Sequence, residues 1–477
     1  MTNPGSGGGW SPQPEQGFPQ GGYPQQGWTG APGGPQPAQP GWPTDPNTGQ
    51  NPAFGPQAAG QQYPQQGQQF AYQVPGPEQP KKRTGLVIGA IVAVIVLVAG
   101  GVGAWFLFSG SEPEGEATPT AAATKLFDSM AKSDLVGVFE ALPPGEAALL
   151  GDTTQSLLDE LKRLEILKKD TNLSQIAGVE VKVEGLKFDE AAAEQVNDHL
   201  VITKLVEGKI TITADGKQVP FTEKFLDLAG VEEKDRTKDT EEIDITKEVQ
   251  KSGDPIRIAT VKVNDQWYPS LFYTIADNVL QEEKESWPKE RIEPKGADSP
   301  EAALRALLEA ALQGDPKRVI ELLPPGEMSV LHDLGPILVK SAGLPGMDDE
   351  VTLAELKTER RDVRGGVSLV PKTVVLEKDG DQLSIEVDGE CAKLSAPDGS
   401  SEELCADELA EDLGSASDLP PGMDEMAERM VKNLLETGVV AVEVDGKWYI
   451  SPGRTVSELL LAVLRSMEPG DLEKMVR

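Results

Sequence analysis

Histidine and cysteine are almost absent from this chain, which has two of each in 477 residues. A zinc site takes three or four His, Cys or acidic ligands at short spacing. His199 and His332 stand far apart in sequence, and neither has a cysteine beside it. Multi-histidine metal binding and paired-histidine acid–base chemistry are therefore unsupported. Cations are also in deficit: 44 Lys and Arg face 78 Asp and Glu, for a formal charge of −34. Such a surface repels nucleic acid and anionic headgroups and favours cationic partners. Nucleic acid is excluded as a partner on that ground.

The deficit is uneven. Residues 1–80 hold no Lys or Arg, 17 Pro, and only Glu15, Asp45 and Glu78 as acids. Lys81, Lys82 and Arg83 follow, and residues 85–108 carry no charge. Setting those three cations and three anions aside leaves 41 against 75 in residues 111–477, so the whole negative excess lies there. Residues 1–83, rich in Pro, Gln and Gly with isolated aromatics, lack the aliphatic surface to offset chain entropy and are predicted to be a disordered cytoplasmic tail. The 24 uncharged residues 85–108 would make a helix of ~36 Å, against a hydrocarbon core of ~30 Å. The expectation is one transmembrane helix within residues 84–110. The basic triplet Lys81, Lys82 and Arg83 marks its cytoplasmic side, giving a plasma-membrane protein with an inward N-terminus and extracytoplasmic C-terminal domains. Gly85, Gly89 and Ala93 form a small-residue stripe, a candidate homodimer face in the bilayer.

Cys391 and Cys405 are the only cysteines. They do not form a CxxC motif, and an even pair on an oxidising side reads as a structural disulfide. Acidic runs such as Glu232-Glu233, Glu241-Glu242 and Glu402-Glu403 lack the spacing of a calcium loop and read as solvated faces.

The chain also repeats itself. Pro143-Pro144-Gly145-Glu146 recurs as Pro324-Pro325-Gly326-Glu327, and Trp267-Tyr268 recurs as Trp448-Tyr449, both at an offset of 181. The same offset matches Asp134 with Asp315 and Glu140 with Glu321, whereas the middles, about 165–250 and 346–430, match poorly. Two homologous α+β domains are expected, 117–286 and 298–477, joined through residues 287–296. In the second copy Ser299 is a fitting N-cap with Pro300 at the first helical position. Leu304, Leu307, Leu308, Ala311 and Leu312 then follow helical spacing. Strand-like runs come next, and Asp445-Gly446 is a hairpin turn before a Trp-bearing strand. Leu459, Leu460, Val463 and Leu464 indicate a closing helix. Each Pro-Pro-Gly-Glu corner reads as a helix stop and restart.

Helices followed by a curved antiparallel sheet make each copy α+β. The opening at Ser299–Asp315, with Pro300, Glu301 and Gly314, resembles that of the nuclear-transport-factor-2-like (cystatin-like) domains. That resemblance implies helices packed into the hollow of a curved sheet. The organisation of the whole chain resembles actinobacterial single-pass envelope proteins with Pro/Gln-rich tails. Trp267, Tyr268, Trp448 and Tyr449 are candidate pocket aromatics, with one ring of each pair facing the core. No catalytic, metal or cofactor residues are assigned. The expected function is a non-enzymatic, membrane-anchored binding or scaffolding module engaging another envelope protein. The alternative is a sensor or carrier holding a small apolar ligand in each repeat.

Overall fold

The computed structural model describes residues 113–132, 134–172, 178–342, 351–416 and 423–476. In the first half the order is α1 (Pro119–Ala131), α2 (Leu135–Glu140), α3 (Pro144–Arg163), β1 (Val179–Phe188), β2 (Glu194–Gln195) and β3 (Leu200–Asp215). It continues with α4 (Glu223–Leu228), β4 (Lys238–Asp244), α5 (Ile245–Ser252), β5 (Ile256–Val263), β6 (Gln266–Pro269) and α6 (Leu271–Glu283). The strands form one antiparallel sheet in the order β1-β3-β5-β6, with β2 and β4 also paired to the long β3.

The second half begins with α7 (Pro300–Leu312), α8 (Pro316–Glu321), α9 (Ser329–Ser341), β7 (Thr352–Val363) and β8 (Gly366–Lys378). A meander follows, β9 (Asp381–Asp388), β10 (Cys391–Ser395) and β11 (Ser401–Cys405), then helices α10 (Ala406–Ala416) and α11 (Asp424–Leu435). The half ends with β12 (Val439–Val444), β13 (Lys447–Ile450), α12 (Pro452–Ser466) and α13 (Asp471–Val476). Its sheet runs β11-β10-β9-β8-β12-β13, with β7 on β8. Both halves are thus α+β with curled antiparallel sheets.

Local chemistry recurs at the fixed offset. Thr118 and Ser299 cap α1 and α7 by accepting from Ala121 N and Ala302 N at 3.2 and 3.1 Å. Asp134 and Asp315 cap α2 and α8 at 3.0 and 2.9 Å. Ser270 and Ser451 cap α6 and α12 at 3.0 and 3.2 Å. A side-chain oxygen at these positions satisfies an amide that the helix leaves unbonded. The hairpin turn before β13 uses Asp445 and Gly446, and that before β6 uses Asn264 and Asp265, all at positive φ. Such backbone suits the two-residue turn whose twist matches the strands.

The middles diverge because their lengths differ. Strand β5 pairs with β3, which opens at Leu200, and β12 pairs with β8, which opens at Gly366, a spacing of 166 rather than 181. The second half reaches its long strand with fewer residues and then spends more on β9, β10, β11, α10 and α11. No single offset can align both ends and the centre.

The two halves share their interior. Val330 of α9 packs in a cluster with Leu200, Ile202, Val261, Tyr268 and Tyr273 of the first half. Helix α3 packs on α12, and α9 on α6, so each closing helix rests on the third helix of the other half. Cys391 and Cys405 are disulfide-bonded and stand opposite one another on β10 and β11.

The expected transmembrane helix is corrected by the structure. Among the described residues, no helix is long and apolar enough to cross a membrane. The longest, α3, has 20 residues but carries Glu146, Asp152, Asp159, Glu160, Lys162 and Arg163, and a bilayer interior strongly disfavours such charge. The single-pass description, the plasma-membrane location and the membrane-spanning part of the fold class are withdrawn accordingly. The run 85–108, with Gly85, Gly89 and Ala93, the triplet Lys81, Lys82 and Arg83, and the tail 1–83 lie outside the described residues.

Candidate functional site

The two Pro-Pro-Gly-Glu corners meet each other. A Cβ added to Gly145 would run into the carbonyl carbon of Gly326, and one added to Gly326 would lie 3.6 Å from the Gly145 Cα. Residues related by the 181 offset therefore touch, as they do at the two-fold axis of an isologous dimer. Only glycine allows the two backbones to approach this closely.

The next residue in each corner turns inward. Glu146 is buried and accepts from Ser270 Oγ and, at 2.9 Å, from Leu271 N at the start of α6. Glu327 does the same at α12, accepting from Ser451 Oγ at 2.6 Å. A carboxylate suits the positive end of a helix dipole. The resemblance ends there. Glu327 also accepts from Arg454 Nε at 2.6 Å, and Arg454 Nη1 reaches Asp152 of the other half at 2.6 Å. At the position equivalent to Arg454 stands Tyr273, whose hydroxyl donates to Asp333 Oδ2 at 2.8 Å. Asp152 and Asp333 are themselves equivalent. Each half thus grips an aspartate of the other from the first turn of its closing helix, once with a guanidinium and once with a phenol.

Asp333 has further partners. His199 Nε2 lies 2.6 Å from its Oδ2, and Arg291 Nη1 lies 3.5 Å from its Oδ1. The other nitrogen of His199 faces Asp198 at 3.0 Å. Asp333 above all holds the imidazole pKa above its ordinary value. Burial pushes the Tyr273 phenol well up, so it stays a donor, and its ring stacks on Trp287 at 5.5 Å. Burial, with no cation beside it among the described residues, pushes Glu146 up to about 7. An imidazole with both nitrogens on carboxylates has no free nitrogen to take a proton from a substrate.

His332 is fully buried. Its ring nitrogens face the carbonyls of Ile292 at 2.8 Å and Leu323 at 3.1 Å, and burial pushes its pKa down. It ties the segment between the halves to α9.

The outer faces of the closing helices are apolar. Tyr273, Ala276 and Leu280 of α6 point inward, while Leu271, Ile275 and Val279, each four residues from the next, lie exposed. On α12, Val456, Leu459 and Leu460 are exposed while Leu461 and Ala462 are buried. Ile275 and Val456 are equivalent, at 62 % and 65 % exposure, and so are Val279 and Leu460. Residues four apart share one face of a helix.

A cavity of about 690 Å³ lies beside α6, lined by Leu126, Phe127, Arg257, Ile258, Leu271 and Gln281 among others. Two cations line it, Lys204 and Arg257, and Arg257 is held by Asp277 at 2.6 and 2.9 Å. The sequence-predicted aromatics lie elsewhere. Tyr268 and Tyr449 are buried in the core, Tyr268 donating to Pro113 O at 3.0 Å. Trp267 and Trp448 are half-buried and bridge to the residues before α1 and α7, and Arg360 covers the Trp448 ring at 5.4 Å.

Sequence reasoning missed the bonds of Glu146 to Ser270, of Tyr273 to Asp333 and of Arg454 to Asp152, and it missed the exposed stripes. The signal was present, because the offset carries Glu146 to Glu327, Asp152 to Asp333 and Ser270 to Ser451. Acids that recur at equivalent points of the repeat were that signal. No family model matches this chain, no curated protein matches it, and no solved structure matches it.

Proposed function

We propose that this chain is a non-enzymatic binding or scaffolding module that docks a second protein on the apolar faces of α6 and α12. The observation that carries this reading is the equivalence of Ile275 with Val456 and Val279 with Leu460, all exposed. A lone surface aliphatic needs no explanation, whereas repeated apolar faces on duplicated helices suit a docking surface. The formal charge of −34 favours a partner whose apolar face is flanked by cations. The His199 geometry argues against acid–base catalysis at the buried cluster. The helix-then-sheet order of both halves supports the likeness to nuclear-transport-factor-2-like domains.

The test is crosslinking capture with the intact chain and with I275E/V279E, V456E/L460E and their combination. Substitutions at exposed positions shift stability by roughly 0.5 kcal/mol or less, so the variants keep their unfolding midpoints. Each pair is expected to reduce recovery of the partner, and the combination to abolish it. Unchanged recovery with the combination contradicts the reading.

A second reading rests on the cavity of about 690 Å³, which lies in the range of small-molecule sites. It makes the first half a carrier of a small, largely apolar ligand. Native mass spectrometry separates the two: a reproducible added mass, lost on Leu126→Arg, favours the carrier, and a clean apo mass favours docking.

A further inference from the structure

The closing helices are seated by different chemistry at equivalent positions. At α12 a single guanidinium, Arg454, joins Glu327 of its own half to Asp152 of the other, at 2.6 Å each. At α6 no guanidinium stands in that place. Tyr273 and His199 share Asp333 Oδ2 at 2.8 and 2.6 Å, and Glu146 meets only hydroxyl and amide donors among the described residues. We infer that the first turn of α6 is held by a proton-operated latch, whereas that of α12 is held by a permanent ionic one; farther along α6, Asp277 is held by Arg257 of β5 at 2.6 and 2.9 Å.

The groups facing His199 are Asp333 from α9, Asp198 from its own loop and Arg291 from the segment between the halves. Those facing Glu146 are Ser270 and the amides of Leu271 and Phe272 at the start of α6. Loss of the imidazolium proton removes the cation nearest Asp333. Ionisation of Glu146 places an uncompensated charge under the first turn of α6. Both changes come on raising the pH, and both strike the same turn. The sign is the same for each. The folded chain holds the His199 proton more tightly than an unfolded one, so its stabilisation is complete below the ordinary imidazole range and lost above it. Glu146 titrates near 7 when folded, so stability falls as the pH climbs from the ordinary carboxylate range toward that value. Arg454 keeps its charge throughout.

The consequence for docking rests on the function proposed above, because α6 carries one of the two apolar faces. The latch itself is tested without any partner. Hydrogen exchange of the full chain, corrected for the intrinsic rate, is followed at several pH values for peptides covering 271–283 and 452–464. Protection of α6 is expected to fall roughly tenfold or more from mildly acid to mildly alkaline pH, the response of one pKa unit or more. Protection of α12 is expected to stay flat. Combining Glu146→Gln with His199→Gln should flatten α6, and Arg454→Tyr should make α12 follow pH. Identical courses for the two helices in the unaltered chain overturn the inference, as does a double variant that keeps the unaltered chain's course at α6. Because no partner is present, a failed latch leaves the docking reading to its own capture test.

Discussion

Glu146 lies under the first turn of α6 with no cation beside it among the described residues, and burial raises its pKa to about 7 from 4.5. That difference makes the ionised carboxylate cost ~3 kcal/mol in the folded state relative to the protonated one. Glu146→Gln keeps the shape and a hydrogen-bonding oxygen. Urea unfolding is therefore expected to show the intact chain losing about that much more stability than the variant between ~pH 5 and ~pH 8. Equal losses would place Glu146 in a wetter site than the structure has. Little of this was legible beforehand. A Glu just after Pro-Pro-Gly suits a helix N-terminus, which is the local half of its role. Its hydroxyl partner Ser270 lies 124 residues away, and no local pattern announces such a bond. The burial of His332 was illegible for the same reason, because its carbonyl partners at Ile292 and Leu323 belong to chain segments that meet only on folding.

At the scale of elements, caps and turns were the most readable. Ser299 with Pro300 and Asp445 with Gly446 each act locally, and the structure has them as cap and turn. The closing helix α12 was legible as a helix but not in its orientation. Val456, Leu459, Leu460, Leu461, Val463 and Leu464 surround much of the cylinder, so periodicity alone could not choose a face. Leu459 and Leu460, two of the residues that indicated the helix, are exposed. The β10–β11 hairpin sits at the edge of its sheet and owes part of its order to Cys391–Cys405, which closes a short loop with a sequence separation of 14. In the chain-entropy account such a loop is worth ~3 kcal/mol. Replacing both cysteines with serine is expected to lower the unfolding midpoint or to raise exchange across 391–405 selectively. An unaltered midpoint and unaltered exchange would count against a stabilising role.

At the scale of the molecule, duplication explains features that neither half explains alone. Contact between Gly145 and Gly326, reciprocal grips on Asp152 and Asp333, and crossed packing of α3 with α12 and α9 with α6 all follow from one pseudo-two-fold relation. The offset of 181 was visible in sequence, but that the copies face each other was not, since repetition says nothing about arrangement. The apolar faces of α6 and α12 are what such an internal dimer leaves uncovered. The most direct test places a photo-crosslinking residue at Ile275 in one preparation and at Val456 in another, with an exposed acidic position far from both as control. Crosslinks from both equivalent positions to one and the same protein, absent from the control, are the predicted result. Crosslinks from neither position, or to the same proteins that the control captures, would contradict docking through the closing helices.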